Sequence, residues 1–301
     1  MPLKISIVTP SFNQGQYLEQ TIRSVLDQEY ASLEYIVMDG GSNDQSISIL
    51  ERYADRLAYW TSEKDRGQVD AINKGLARAT GDVFAYINSD DVYLPGAFDA
   101  VAEYFAAHPE CQWLCGDTIM FGPGHKSELI QARVPASAAH CLSWAYKAPQ
   151  PGMFWKRSLM ENGFDESWRY DFDHDLYVRL LLKGYRCEHL SLPVAAYRWH
   201  AISKTMSDRN LFDEEFDRSA EHYEGSLQGS DRRWVRSTRL LRQSYLASGE
   251  GRISEARKLL TQAALTYPEG LASKLFWGCV RQLSRRKPIG HTDTREGNGL
   301  E

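Results

Sequence analysis

Over its first hundred residues the chain alternates short apolar runs with segments whose apolar positions recur at helical spacing. Ile5-Ser6-Ile7-Val8-Thr9, stopped by Pro10, has the near-continuous apolarity of a strand buried on both faces. After a polar loop, Tyr17, Leu18, Ile22, Val25 and Leu26 fall three and four apart, as on one side of an amphipathic helix. A second strand is predicted from Leu33 to Asp39, closed by Gly40-Gly41-Ser42. A helix over 44–54, a strand near 58–60, a helix over 69–79 and a strand over 83–87 follow. This alternation implies an α/β fold with a mostly parallel central sheet. In such sheets ligands bind beyond the carboxyl ends of the strands. Those ends carry the polar clusters Thr9 to Asn13, Asp39 to Ser42 and Asn88 to Asp91, so one edge is expected to hold the site.

From Asp99 to Leu192 the rhythm becomes mixed α and β, and charged and small residues over 212–230 suggest a boundary. Beyond it, Trp234 to Ala247 and Ile253 to Tyr267 predict an antiparallel helical pair joined through Ser248-Gly249-Glu250-Gly251, with a third helix over 271–286. The stretch from Gly251 to Pro268 resembles a single tetratricopeptide-type unit. The expected organisation is a body over 1–212, a helical extension over 213–288 and a disordered tail over 289–301.

Composition narrows the class. Hydrophobic residues at 43% give material for a core and exclude wholesale disorder. The five cysteines form no paired framework and no zinc-ligand spacing, so they are expected to be buried thiols in a reducing cytoplasm. No apolar run approaches the roughly 20 residues of a membrane span, and Met1-Pro2-Leu3-Lys4 lacks a signal-peptide plan. The expected location is therefore cytoplasmic, with no nucleic acid among the partners. The net charge of −5 conceals an asymmetry, because 13 Lys and Arg face only 4 Asp and Glu between Asp231 and Gly290. In the third helix Leu271, Leu275, Phe276, Val280 and Leu283, with Lys274, Arg281 and Arg285 to Lys287, form an amphipathic basic pattern. That pattern suits either peripheral contact with the inner face of an anionic membrane or packing on the body with a solvated basic rim.

Four clusters carry candidate chemistry. Adjacent carboxylates at Asp90 and Asp91 repel one another at a strand end, which suits a hard divalent cation or, more simply, a helix N-cap. In Asp65 to Gly75, Gly67 precedes a helix start that favours an anion, while Asp70, Asn73 and Lys74 share a helical face. Asp171, Asp173 and Asp175 open another helix, where they complement its dipole or supply a general base. Arg198-Trp199-His200, with Ser203 and Thr205, follows an apolar strand, and His200 is a structural residue or a ligand to metal or pyrophosphate.

Taken together, Ser6 to Asn13, Val37 to Asp44, Asp65-Arg66-Gly67-Gln68, Asn88-Ser89-Asp90-Asp91 and Phe164 to Arg179 closely resemble glycosyltransferase family 2. The resemblance covers 4–205 and rests on five short motifs in the right order. It implies the GT-A nucleotide-diphospho-sugar fold and inverting transfer from a nucleotide-sugar donor, UDP by family habit, to a glycan or lipid-linked acceptor. It implies nucleotide-sugar contacts at Thr9, Pro10, Ser11, Asn13, Asp39, Gly41, Asp65, Gly67, Gln68, Asp70, Asn73, Ser89 and Asp90. Asp90 and Asp91, with His200, would present Mg²⁺ or Mn²⁺, and Asp173 would be the base. Gln150, Gly152, Trp155 and Asp171 would frame donor sugar and acceptor, Trp155 as a stacking platform. Asn88 stands where the family more usually has Asp, and Phe172 where many members have Glu. A nucleotidyltransferase is disfavoured because Ser11 to Gln16 holds no Lys or Arg. A non-catalytic adaptor acting through the helical tail is the other reading.

Overall fold

The computed structural model describes residues 2–143, 145–200, 203–204 and 208–284. The expected tail over 289–301, the basic residues Arg285 to Lys287, and Thr205 lie outside the described residues. Two compact units emerge, Met1–Ser137 with Ala145–Glu215, and Ala138–Trp144 with Phe216–Glu301.

The first unit is built on strands β1 (Ile5–Ser11), β2 (Leu33–Asp39), β3 (Tyr59–Ser62), β4 (Val83–Tyr86), β5 (Val92–Tyr93), β6 (Trp113–Gly122), β7 (His125–Ile130), β8 (Met153–Lys156) and β9 (Glu188–Arg198). They form one sheet in the order β3-β2-β1-β4-β8-β6-β9-β5, with β7 paired to β6. β3, β2, β1 and β4 are mutually parallel, as the alternation predicts. β8 enters antiparallel between β4 and β6, and β9 restores parallel pairing with β6. The sheet is therefore mixed beyond β4.

Helices α1 (Gly15–Leu26), α2 (Ser46–Tyr53) and α4 (Ala97–Ala107) cover one face, and α3 (Gln68–Arg78) and α6 (Phe172–Leu182) belong to the same unit. Odd-numbered Ile5, Ile7, Tyr35, Val37, Val83 and Ala85 join Leu18, Ile22, Ile49, Leu50, Phe98 and Val101 in one buried core. This is the two-residue period of a strand meeting the helical stripe foreseen in α1. The opposite face is closed so tightly that a Cβ on Gly75 of α3 would lie 2.5 Å from Val8 Cγ1 of β1. Both faces being covered, the polar groups of β1 to β4 emerge only at their carboxyl ends.

The second unit holds α5 (Ala138–Leu142), the later turns of α7 (Arg209–Glu224), α8 (Gly229–Gly249), α9 (Ile253–Thr266) and α10 (Lys274–Ser284), the last three built around a small centre of Leu241, Ala263 and Cys279. Ser237 and Ser244 on α8 donate to the carbonyls of Ala263 and Ala256 on α9 at 3.0 and 2.8 Å, so small residues let the pair approach closely. α7 runs through the stretch expected as a boundary. Its stripe of Phe212, Phe216, Ala220 and Tyr223 recurs near four residues, and the last three are buried. α10 has two distinct faces. Leu275 and Phe276 pack on the unit's own core, while Lys274, Trp277 and Arg281 are exposed, Trp277 by 53%. Leu275 and Phe276 thus face inward, whereas Leu271 just ahead of the helix is exposed.

All five cysteine thiols are buried. Among the described residues no helix is long and apolar enough to cross a membrane.

Candidate active site

The loops after β1, β2 and β3 are laced together by one carboxylate. Asp39, at the end of β2, accepts from the Gly41 and Ser42 amides at 3.2 and 2.8 Å and from the Ser42 and Ser62 hydroxyls at 2.6 and 2.7 Å. Gly41 adopts φ +83°, a left-handed turn that glycine makes without a Cβ penalty. Asn13, itself at φ +52°, donates its amide to Ser42 Oγ and accepts from the Asn43 amide, tying the first loop to the second. Ser11 is buried, and its hydroxyl has no partner among the described residues. Thr9 points away from this edge. Its Oγ1 meets the Tyr35 hydroxyl at 3.0 Å inside the core, so only its backbone is available to a ligand. Pro10 is likewise buried within β1.

Asp65 accepts from the Gly67 amide at 2.8 Å, and a Cβ on Gly40 would lie 2.7 Å from its other oxygen. Partial burial pushes the Asp65 carboxyl above its ordinary range. Lys64, Asp65, Arg66, Asp70 and Lys74 line an open cavity of about 400 Å³. Asp70 belongs to its wall. Burial acts against its charge, but hydrogen bonds from the Arg66 amide, Lys74 and the Arg66 guanidinium outweigh burial and hold it below the usual carboxylate range. Asn73, expected at the ligand, makes a backbone contact here. Its amide group clasps the backbone of Phe164, donating to its carbonyl at 2.8 Å and accepting from its N–H at 2.9 Å.

Beyond β4, Thr21 of α1 pins the next loop by donating to the carbonyls of Ser89 and Asp91. Asp90 Oδ2 and His200 Nε2 are 2.9 Å apart, and the Arg198 guanidinium reaches the Asp90 carbonyl at 3.0 Å. His200 is buried against Tyr17 with its Nδ1 lacking a partner among the described residues. Asp91 is a different kind of residue. It is fully enclosed, accepts from the Arg198 amide at 2.8 Å and faces the Asn88 amide group. Burial, then the charge of Asp90, pushes its carboxyl well above the ordinary range. Asp91 thus anchors the end of β9 with both of its oxygens engaged, whereas Asp90 is partly exposed. Among the described residues no three His, Cys, Asp or Glu side chains converge as a metal cluster.

Asp173 lies half-buried in the first turn of α6, accepting from the His174 amide at 2.8 Å. Burial, reinforced by Asp171, raises its carboxyl to about 6. Asp171 is engaged with His174 Nδ1 at 3.0 Å, and Asp175 with Arg179 at 2.7 Å. The loop before β8 departs from expectation. Trp155 is fully buried in the sheet between β4 and β6, stacked with Tyr86 and Tyr177 at 6.5 and 6.4 Å, so it cannot be a platform for sugar. Gly152 serves packing, because a Cβ there would lie 2.5 Å from the Gly116 carbonyl oxygen. Gln150 donates to the Tyr86 carbonyl at 2.9 Å.

Sequence reasoning overlooked Ser62, Thr21 and Lys204. Lys204 Nζ donates to Gln68 Oε1 at 3.1 Å, and the other end of Gln68 donates to Asn88 Oδ1 at 2.7 Å. The only signal for it was its place inside the polar cluster that follows β9.

The model of Glycosyl transferase family 2 matches residues 6–147. An uncharacterised glycosyltransferase of Mycobacterium tuberculosis (strain CDC 1551 / Oshkosh) is 31% identical over 184 residues, covering 59% of this chain and 69% of the relative. The chain belongs to glycosyltransferase family 2. This family 2 enzyme is a glycosyltransferase, and the nucleotidyltransferase alternative falls away. A putative teichuronic acid biosynthesis glycosyltransferase of Bacillus subtilis, TuaG, is 35% identical to it over 103 residues, 33% of this chain and 41% of the relative. S. aureus TarS 1-349, solved with UDP-GlcNAc, superposes with a TM-score of 0.67 at 16% identity, covering 94% of this chain and 89% of that one. At that identity the likeness shows the fold, GT-A, into which the helical C-terminal region is appended.

Proposed function

We propose that this glycosyltransferase is a metal-dependent, inverting enzyme that moves a sugar from a UDP-sugar to an acceptor hydroxyl in cell-surface polysaccharide or lipid-linked glycan synthesis. The observation that carries the reading is Asp173, a half-buried carboxylate titrating at about 6 in a unit that also brings Asp90 to His200. Above that pH Asp173 is ionised and able to take the acceptor hydroxyl's proton. The freed oxygen forms its bond to the anomeric carbon as the bond to the diphosphate oxygen breaks, and a single displacement inverts that centre. The laced loops of Asp39, Asn13 and Asp65 and the adjoining cavity suit the nucleotide. The UDP-GlcNAc complex of the TarS neighbour and the teichuronic acid role of the TuaG relative support the donor and acceptor classes.

The donor set fits a hard divalent ion. Asp90 retains a partly exposed carboxylate with His200 Nε2 2.9 Å from it, a nitrogen and an oxygen that could both turn to one ion in place of their mutual contact, and Mg²⁺ or Mn²⁺ with diphosphate ligands needs only one or two protein groups. Such an ion, when bound, would neutralise the charge that develops on the leaving diphosphate. The exposed face of α10, with Trp277 between Lys274 and Arg281, suits contact with an anionic membrane surface where lipid-linked acceptors reside. Residues 1–212 are read as the catalytic part and 213–288 as its helical extension.

Calorimetric titration of UDP, GDP and dTDP, with and without Mn²⁺, tests the donor. UDP is expected to bind only with the metal, and Asp90→Ala to abolish that binding. If no nucleotide binds, the reading fails in favour of an adaptor acting through its helices.

A further inference from the structure

Lys204 lies outside the residues assigned above to donor, metal or base, yet it touches both sides of the site. Its ammonium donates to Gln68 Oε1 at 3.1 Å, 136 residues away in sequence, and also to the carbonyl of Arg169. It lies over the ring of Tyr170 at 4.7 Å and that of Phe172 at 5.7 Å, and Phe172 immediately precedes Asp173. Gln68 opens α3 and passes the contact on to Asn88, which begins the Asn88-Ser89-Asp90-Asp91 corner. One side chain thus links the donor side of the site to the segment that leads into α6.

We propose that Lys204 is a positioning residue for transfer, a charged clasp that joins Gln68 and Asn88 to the Arg169–Phe172 segment and holds Asp173 in its ionised, proton-accepting state. Lysine suits this place for a physical reason. Its ammonium has three donors, enough for the two oxygens while keeping a positive charge over two aromatic faces. A neutral apolar side chain of similar length would leave Gln68 Oε1 and the Arg169 carbonyl without their donor. The same identity accounts for Asn88 in place of the more usual Asp. An amide accepts from Gln68 through Oδ1 and turns its Nδ2 toward Asp91, whereas a carboxylate there would set a second negative charge against the enclosed Asp91.

The charged groups facing Lys204 are Arg169, which opposes its charge, and Asp173, Glu215 and Asp208, which favour it; burial is the largest influence and brings the ammonium down to about 8. Asp173 is faced by Asp171 and His174 on its own turn and by the buried hydroxyls of Tyr86 and Tyr177. Lys204 and Asp173 attract one another across this enclosure, so a positive charge withdrawn from it favours the protonated form of Asp173.

The test needs neither donor nor acceptor. Asp173 is followed by carbon NMR in the full chain labelled with ¹³C-aspartate, its resonance assigned by its loss in Asp173→Asn. In Lys204→Met the Asp173 midpoint is expected to move upward by about one unit, the size expected when a nearby opposite charge is lost. In Lys204→Arg it is expected to stay near the wild-type value. Thermal melting accompanies each spectrum, because a purely structural lysine would lower stability without moving the Asp173 midpoint. If Lys204→Met does not fold, Lys204→Gln takes its place, keeping a donor while losing the charge. An unmoved midpoint in the folded neutral variant overturns the proposal. The inference rests on Asp173 as the base, but the titration is read without nucleotide and is independent of whether UDP binds.

Discussion

Asn73→Ala separates a ligand contact from a structural clasp. The Asn73 amide group makes two hydrogen bonds, at 2.8 and 2.9 Å, to the carbonyl and N–H of Phe164, whose ring is buried against Tyr86 and Trp155. Removing it leaves one donor and one acceptor of a largely enclosed backbone without partners, each costing about 1–3 kcal/mol. Taking the lower part of that range, because some water can enter, the expected loss is about 2–4 kcal/mol. For a unit of this size each kcal/mol moves the melting temperature by roughly 2–4 °C, so the variant should melt roughly 4–16 °C lower. Scanning fluorimetry measures the shift, and calorimetry with UDP and Mn²⁺ should show little change in affinity. Asn73→Asp adds a check with a sign. Its carboxylate still accepts from the Phe164 N–H but faces the carbonyl as a second acceptor, and only the protonated form can donate. Its deficit should therefore shrink as pH falls from 8 toward 4. Melting within 2 °C of wild type for Asn73→Ala, with weakened nucleotide binding, would refute the structural assignment.

Other outcomes follow from the same geometry. Because the Asp173 carboxyl is raised to about 6, the folded protein binds more protons there than the unfolded chain between its ordinary range near 4 and pH 6. Its contribution to stability accordingly falls as pH rises through that window, so Asp173→Asn should melt higher than wild type at pH 8 and alike at pH 4, while losing transfer. Gly152→Ala places a methyl 2.5 Å from the Gly116 carbonyl oxygen, backbone against backbone, and should cost about 1–3 kcal/mol of stability in the purified protein; wild-type melting would contradict that packing. Trp277 emission should shift to the blue with phosphatidylglycerol vesicles and not with phosphatidylcholine, and reversing Lys274 and Arg281 to Glu should weaken sedimentation with the former at least tenfold. A spectrum indifferent to lipid charge would remove the membrane contact.

What could be read in the chain followed the range of the forces involved. β1, β2 and β4 and the helices between them were legible because local periodicity and Gly or Pro stops decide them. The Asp39 turn was legible for the same reason, since Gly41 and Ser42 are its neighbours. β8 was not, because four residues gain strand structure only by sitting between Phe84 of β4 and Trp113 of β6. That nonlocal pairing also buries Trp155, which in isolation looks like an aromatic at a loop. Asn73 and Lys204 find their partners 91 and 136 residues away, beyond any motif spacing. α7 was hidden by its charge, although Phe212, Phe216, Ala220 and Tyr223 keep a helical period within it. In α10 the stripe was legible but its covering was not, since periodicity marks a stripe without saying what covers it.

The enclosed thiols have a practical meaning for watching this enzyme at work. Burial, with Glu188 beside it, pushes Cys111 up to about 12, burial alone pushes Cys279 up to about 11, and Cys115 rises as well. Since the thiolate is the reactive form, alkylating dyes should meet native cysteines that are all buried, with Cys111, Cys115 and Cys279 also held as thiols. One cysteine introduced at an exposed position, such as Phe12 beside the Asn13 turn, would then label selectively in the wild-type background. Fluorescence or spin-label reporters could follow nucleotide binding at the donor edge without first stripping the protein of its own sulfur.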